Sequence, residues 1–136
     1  MYSALKMTEH INTTSSSCVV CEKVSETMDR YFTNIIYIWK TQSEFRQKFA
    51  SKNGFCIPHF AKLLEFASKG LSAKDFKEFY HTIVNMQEKH LDKIYEDVSA
   101  FTRLFDHASD KKASDDVKNS TKNSIHLISG LNCQND

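Results

Sequence analysis

Apolar residues recur along this chain at three- and four-residue steps, the period of amphipathic helices, and no strand pattern is evident. Val24, Met28, Tyr31, Ile35, Ile38 and Trp39 mark a first long helix, from about residue 18 or 20 to residue 40. Phe32 and Ile36 widen its stripe and predict burial on more than one side. Thr41 or Ser43 is expected to cap a short second helix, with Glu44 in the first turn where the dipole favours an acid. Phe45 and Phe49 share one face of it, and Asn53-Gly54 ends it in a turn. A third helix is predicted over residues 58–69, faced by Phe60, Leu63, Leu64 and Ala67 and stopped by Gly70. Ser72, with Asp75 three residues on, predicts a capped start for the fourth and longest helix, from residue 73 to 105 or 107.

Along that last helix, Phe76, Tyr80, Val84, Gln87, Leu91, Ile94, Val98, Phe101 and Phe105 form a heptad seam with one polar member, Gln87. The seam is expected to pack along the first and third helices of the same chain; the alternative is pairing with a second chain. His81 and His90 fall off the seam and read as solvated surface residues. The flanks are polar. Residues 1–17, with a Thr/Ser run over 13–17, read as a flexible leader, although residues 1–7 allow a short helix start. Residues 18–107 form the helical domain. Residues 108–136 read as a polar loop, a weak helix near 122–129 docking through Ile125 and Ile128 before Gly130, and a frayed tail from 132. The fold class is all-α: a bundle of about four helices with one long C-terminal helix.

Composition sharpens this picture. Only three glycines and one proline occur in 136 residues, which suits long helices and argues against a barrel or sandwich. A formal charge of +1 gives no electrostatic case for nucleic acid or an anionic membrane surface. No stretch resembles a signal peptide or is long enough to span a bilayer, so a cytoplasmic location is expected, where thiols stay reduced.

Reduced thiols matter because three of the four cysteines fall into a split pattern, Cys18-Val19-Val20-Cys21 and Gly54-Phe55-Cys56-Ile57-Pro58-His59. A Cys-x-x-Cys and a Cys-x-x-His each place two donors on one turn, and together they make a Cys3His set suited to structural zinc. Both halves fall where a helix begins, so two helix N-termini would favour the thiolates. Gly54 is expected to supply either a positive φ or a close approach at the turn into Cys56. An iron–sulfur cluster is the alternative occupant. Buried thiols acting as small hydrophobes, or a redox dithiol at Cys18 and Cys21, are the metal-free alternatives. Cys133 reads as an exposed free thiol. Catalysis is not expected, because four protein ligands leave no open position and no nucleophile triad, phosphate loop or paired-carboxylate motif is present. Glu22 and Glu26, near the ligands, read as surface acids at a helix start rather than as a base.

Cys18-x-x-Cys21, Met28-Asp29-Arg30-Tyr31, Trp39-Lys40, Glu44-Phe45-Arg46 and Gly54-Phe55-Cys56-x-Pro58-His59-Phe60 together resemble a bacterial family of unknown function. Its members come mostly from anaerobic Gram-positive bacteria, and some are loosely labelled ABC transporter substrate-binding proteins. The likeness covers roughly residues 18–131. The resemblance implies Cys18, Cys21, Cys56 and His59 as a ligand set and implies no activity. The family pattern carries two Cys-x-x-Cys…Gly-Phe-Cys-x-x-His units, whereas this chain has one and matches the C-terminal half. The chain is then a shortened form, or a partner supplies the other half. Asp115-Asp116-Val117 stands where the pattern has a Trp-Gly pair. The transporter label finds no support, because no secretion signal and no two-lobed α/β pattern are present. The functional expectation is a zinc-stabilised helical protein that acts as a protein-interaction module, binding a protein partner or self-associating through the long helix. The alternative is an iron–sulfur or thiol-based redox or metal-sensing protein.

Overall fold

The computed structural model describes residues 2–16, 18–104 and 114–130. The described residues form seven helices and no strand: α1 (Tyr2–Ser16), α2 (Val19–Thr41), α3 (Ser43–Ala50), α4 (Ile57–Gly70), α5 (Ala73–Arg103), α6 (Asp115–Lys118) and α7 (Ser120–Ser129). The all-α class is therefore correct, and the expected count of about four helices is too low. Of the expected polar loop, residues 108–113 lie outside the described residues, as do the seam position Phe105, Cys133 and the tail from 132; its continuation through Asp115 and Asp116 is not irregular but forms α6, capped by Ser114. The chain divides into two compact units, Met1–Ile35 and Ile36–Asp136, with the division inside α2.

The first unit holds α1 and most of α2. Helix α1 replaces the irregular leader expected from the Thr/Ser run. Ala4, Leu5, Lys6, Met7 and Glu9 are strong helix formers, and the Thr8 hydroxyl donates to the Ala4 carbonyl at 2.9 Å, so it follows the helix instead of breaking it. Along α2 the buried positions are Phe32, Ile36 and Trp39, at i, i+4 and i+7, while Val24 and Tyr31 are exposed. The stripe read from the sequence is thus rotated toward its widening members.

In the second unit α5 is the element on which the others converge: α3, α4, α6 and α7 all pack on it, and α4 also meets α7. Ser72 caps α5 as expected; its hydroxyl accepts from the Asp75 N–H at 3.2 Å and donates to the Asp75 carboxylate at 2.7 Å. The buried face of α5 is Phe79, Ile83, Met86 and Gln87, whereas the seam members Tyr80 and Leu91 are exposed. The seam therefore does not form one interior stripe. Gln87 lies on the core side of it and the aromatic and aliphatic members diverge around it.

An aromatic cluster fills the core. The Trp39 ring meets Phe79 at 5.0 Å and 88° and Phe49 at 5.5 Å and 73°, edge-to-face geometries favoured by the ring quadrupoles. Phe49 also stacks near Phe55 at 5.8 Å. Arg46 closes this cluster: Nε donates to the Trp39 carbonyl at 2.8 Å, Nη1 pairs with Glu78 at 2.8 Å, and the guanidinium stands 5.4 Å from the Trp39 ring centroid. That bond satisfies a carbonyl in the last turn of α2 that the helix itself leaves open. Neither Thr41 nor Ser43 caps α3. Gln42 holds the cap position without a side-chain bond, and the Thr41 hydroxyl turns back to the Tyr37 carbonyl at 2.9 Å.

Gly70 is the last residue of α4 and not a left-handed stop; extended Leu71 ends the helix, its N–H donating to the Ala67 carbonyl at 3.0 Å. A side chain at Gly70 would stand 3.0 Å from Ile36 Cγ2, so the absent Cβ lets α4 approach. Helix α7 docks through Leu127 and Ser120, not through Ile125 and Ile128, which are exposed. Gly130 then takes the left-handed conformation, φ 72°, that ends α7. No helix among the described residues is long and apolar enough to cross a membrane.

Candidate metal centre

The two candidate pairs, Cys18 with Cys21 and Cys56 with His59, have the same local frame, one in each unit. Cys18 immediately precedes α2, and its carbonyl accepts from the Glu22 N–H at 2.9 Å. Cys56 is the N-cap of α4, in extended conformation, and its carbonyl accepts from the Phe60 N–H at 2.9 Å. The second ligand of each pair, Cys21 or His59, stands three residues on, inside the first turn. This is the spacing at which a cap side chain and the third helical side chain meet.

The contacts follow from that spacing. The Cys21 N–H donates to Cys18 Sγ at 3.5 Å. Backbone N–H groups of Cys21 and Val20 and the Cys21 thiol hold Cys18 below the usual thiol range, the Cys21 backbone most of all. Cys21 moves the other way, raised by its thiol hydrogen bond to Cys18 and by the neighbouring negative charge. Both thiols are exposed.

In the second unit Cys56 Sγ lies 3.0 Å from His59 Nδ1, and Cys56 is buried. Two donors sharing a tetrahedral zinc stand roughly 3.5 Å apart, from Zn–S near 2.3 Å and Zn–N near 2.0 Å, so a small opening of this pair admits the ion. Pro58 sits in the first turn of α4, where its missing N–H is harmless. Above Cys56 lies the end of α7: a side chain at Gly130 would approach Cys56 Sγ to 3.2 Å.

The turn into Cys56 is held from α5. The Gln87 carboxamide accepts from the Phe55 N–H and donates to the Phe55 carbonyl, both at 2.9 Å. It is the backbone pairing of a strand neighbour supplied by one side chain, and it explains the single polar residue on the buried face. Gly54 is there for close approach and not for φ. A Cβ on it would stand 2.7 Å from His90 Cβ and 2.9 Å from Gln87 Oε1. Among the described residues no group of three or more His, Cys, Asp or Glu side chains is assembled to hold an ion. Glu26 is bound to Lys23 at 2.8 Å, a surface pair, and Glu22 is exposed.

His90 departs from its reading as a solvated residue. It is half-buried beside Gly54 and lines a cavity of about 660 Å³ with His126, Lys89, Lys93, Asp97 and Asp116 among its walls. The signal available in the sequence was a mixed face of α5, Met86, His90, Lys93 and Asp97, at steps of four, three and four. Burial first, and His126 second, push His90 below the usual imidazole value of 6.5. The unfolded chain then takes up this proton at a higher pH than the folded chain, so stability falls as pH drops through and below 6.5. His126→Gln removes the smaller cause and is expected to raise the His90 midpoint part of the way to its ordinary value, read from imidazole proton shifts. Wild-type His90 titrating at or above 6.5 would contradict the burial.

No curated protein and no solved structure matches the chain. A protein-family model matches residues 2–135. The chain belongs to that family, a family of unknown function (DUF6062).

Proposed function

We propose that the chain is a zinc-stabilised helical protein that serves as a protein-interaction module, with Cys18, Cys21, Cys56 and His59 as the ligands of one ion. The observation that carries this reading is the repeated frame: two pairs, each with a cysteine at the start of a helix and the second donor three residues on. The Cys-x-x-Cys…Gly-Phe-Cys-x-x-His pattern is, on this reading, the ligand signature of the family. A Cys3His set is closed, so the ion stabilises and does not catalyse. A cytoplasmic setting suits it, because the thiols stay available to metal.

Cobalt(II) substitution tests the ligand set. The full chain loaded with cobalt is expected to show the intense visible bands of a tetrahedral site and a thiolate charge-transfer band, both weakened by Cys18→Ser and by Cys56→Ser. Weak, octahedral-type bands, or bands unaffected by either variant, would refute it. The interaction surface on this reading is the outward side of α5, where Tyr80, Leu91 and Tyr95 are exposed. If that side joins two copies, Leu91→Asp yields monomer by light scattering; a wild-type chain already monomeric removes self-association.

A second reading rests on the exposed Cys18–Cys21 pair at the start of α2, where the Cys21 N–H donates to Cys18 Sγ at 3.5 Å. An exposed dithiol of that kind fits an iron–sulfur or thiol-based redox or metal-sensing protein.

A further inference from the structure

The cavity beside His90 lies wholly within the second unit, between the turn after α3, the middle of α5 and the α6–α7 segment. Its volume of about 660 Å³ falls in the range of small-molecule sites, about 300–1,000 Å³. One part of the wall is apolar, Met86 and Ile94. The rest is polar, and its charges are unevenly used. Lys93 bridges Asp97 at 2.9 Å and Asp116 at 3.0 Å, so both acids are already bound to one ammonium. Lys52 and Lys89 form no ion pair among the described residues. A cationic ligand would have to displace Lys93 from two carboxylates. An anionic ligand meets two unengaged ammonium groups and an imidazole.

We propose that this cavity binds a small organic anion, its charged head held by Lys52, Lys89 and His90 and its apolar body against Met86 and Ile94. The proposal is independent of the metal reading, because none of the four candidate ligands lines the cavity. Binding is proton-linked. His90 is depressed by burial and by His126; an anion beside the ring stabilises the imidazolium, so it draws a proton onto His90 and binds more tightly as pH falls. The other charged or titratable groups lining the cavity are Lys52, Lys89, Lys93, Asp97, Asp116 and His126.

The test is a titration of the full-length chain, followed by the imidazole resonances of His90 and His126. Phenyl phosphate is the probe, with inorganic phosphate and benzylammonium as comparisons. Phenyl phosphate is expected to shift both resonances saturably in the millimolar range, with His90 moving toward its protonated position. Inorganic phosphate is expected to bind more weakly, and benzylammonium to leave the resonances in place. Lys52→Glu and Lys89→Glu, at exposed positions, should keep the far-UV dichroism and each raise Kd about tenfold. Absence of saturation, equal shifts with benzylammonium, or unchanged Kd in both variants would overturn the proposal. Inorganic phosphate binding as tightly as phenyl phosphate would overturn the apolar half of it.

Discussion

Cys56→Ser, or an excess of strong chelator on the wild type, is expected to loosen or unfold α2 and α3 if the Cys3His ion is in place. Structural zinc contributes on the order of 10–16 kcal/mol to small domains at neutral pH. The net stability of a domain is about 5–15 kcal/mol, so the loss is as large as the whole margin. Cys56 is also a buried side chain beside Gly130, and serine there carries a separate local cost of about 1–3 kcal/mol for a buried hydroxyl without a partner. The chelator separates the two effects, because it removes the ion and leaves the packing intact. Far-UV dichroism and thermal melting read the result. Wild-type melting unchanged in excess chelator contradicts a structural ion.

Phe79→Ala is expected to produce a large loss of stability from packing alone. The ring is fully buried and meets both Trp39 and Phe49. Removing it should cost about 3–5 kcal/mol, a large fraction of a domain's stability. Phe76 lies one turn away on the seam read from the sequence. It is half-buried, with its ring beside exposed Tyr80, so Phe76→Ala should cost only about 1–2 kcal/mol. Urea denaturation of the two variants ranks them directly. A larger loss at Phe76 would restore the heptad seam as the interior face of α5 and reject the core described above.

That comparison shows where the sequence was legible. The positions of α2, α3, α4 and α5 follow from apolar period and from local signals such as Ser72 with Asp75, because those signals act within one turn. The face that each helix buries was less legible. Val24 and Tyr31 fit the same three-and-four spacing as Phe32, Ile36 and Trp39, and only the packing partners decide which set turns inward. Gly70 reads as a helix stop by composition, yet it serves close approach to Ile36. The length of α1 was hidden by its Thr/Ser content, since such side chains bond the preceding turn as readily as they break it. The closeness of Cys18 to Cys21 and of Cys56 to His59 was legible because a Cys-x-x-Cys or Cys-x-x-His spacing at a helix start fixes its own geometry. The Gln87 clamp and the cavity at His90 were not, because both join residues more than thirty positions apart.

Metal content and an absorption spectrum of protein purified without air test the central claim most directly. One zinc per chain and no colour is the result the zinc reading predicts. Iron with sulfide and a broad visible band would contradict it and establish the redox or sensing reading. An intact fold with no metal would contradict both the zinc and the cluster, and would leave Cys18, Cys21, Cys56 and His59 as thiols and an imidazole at two helix starts.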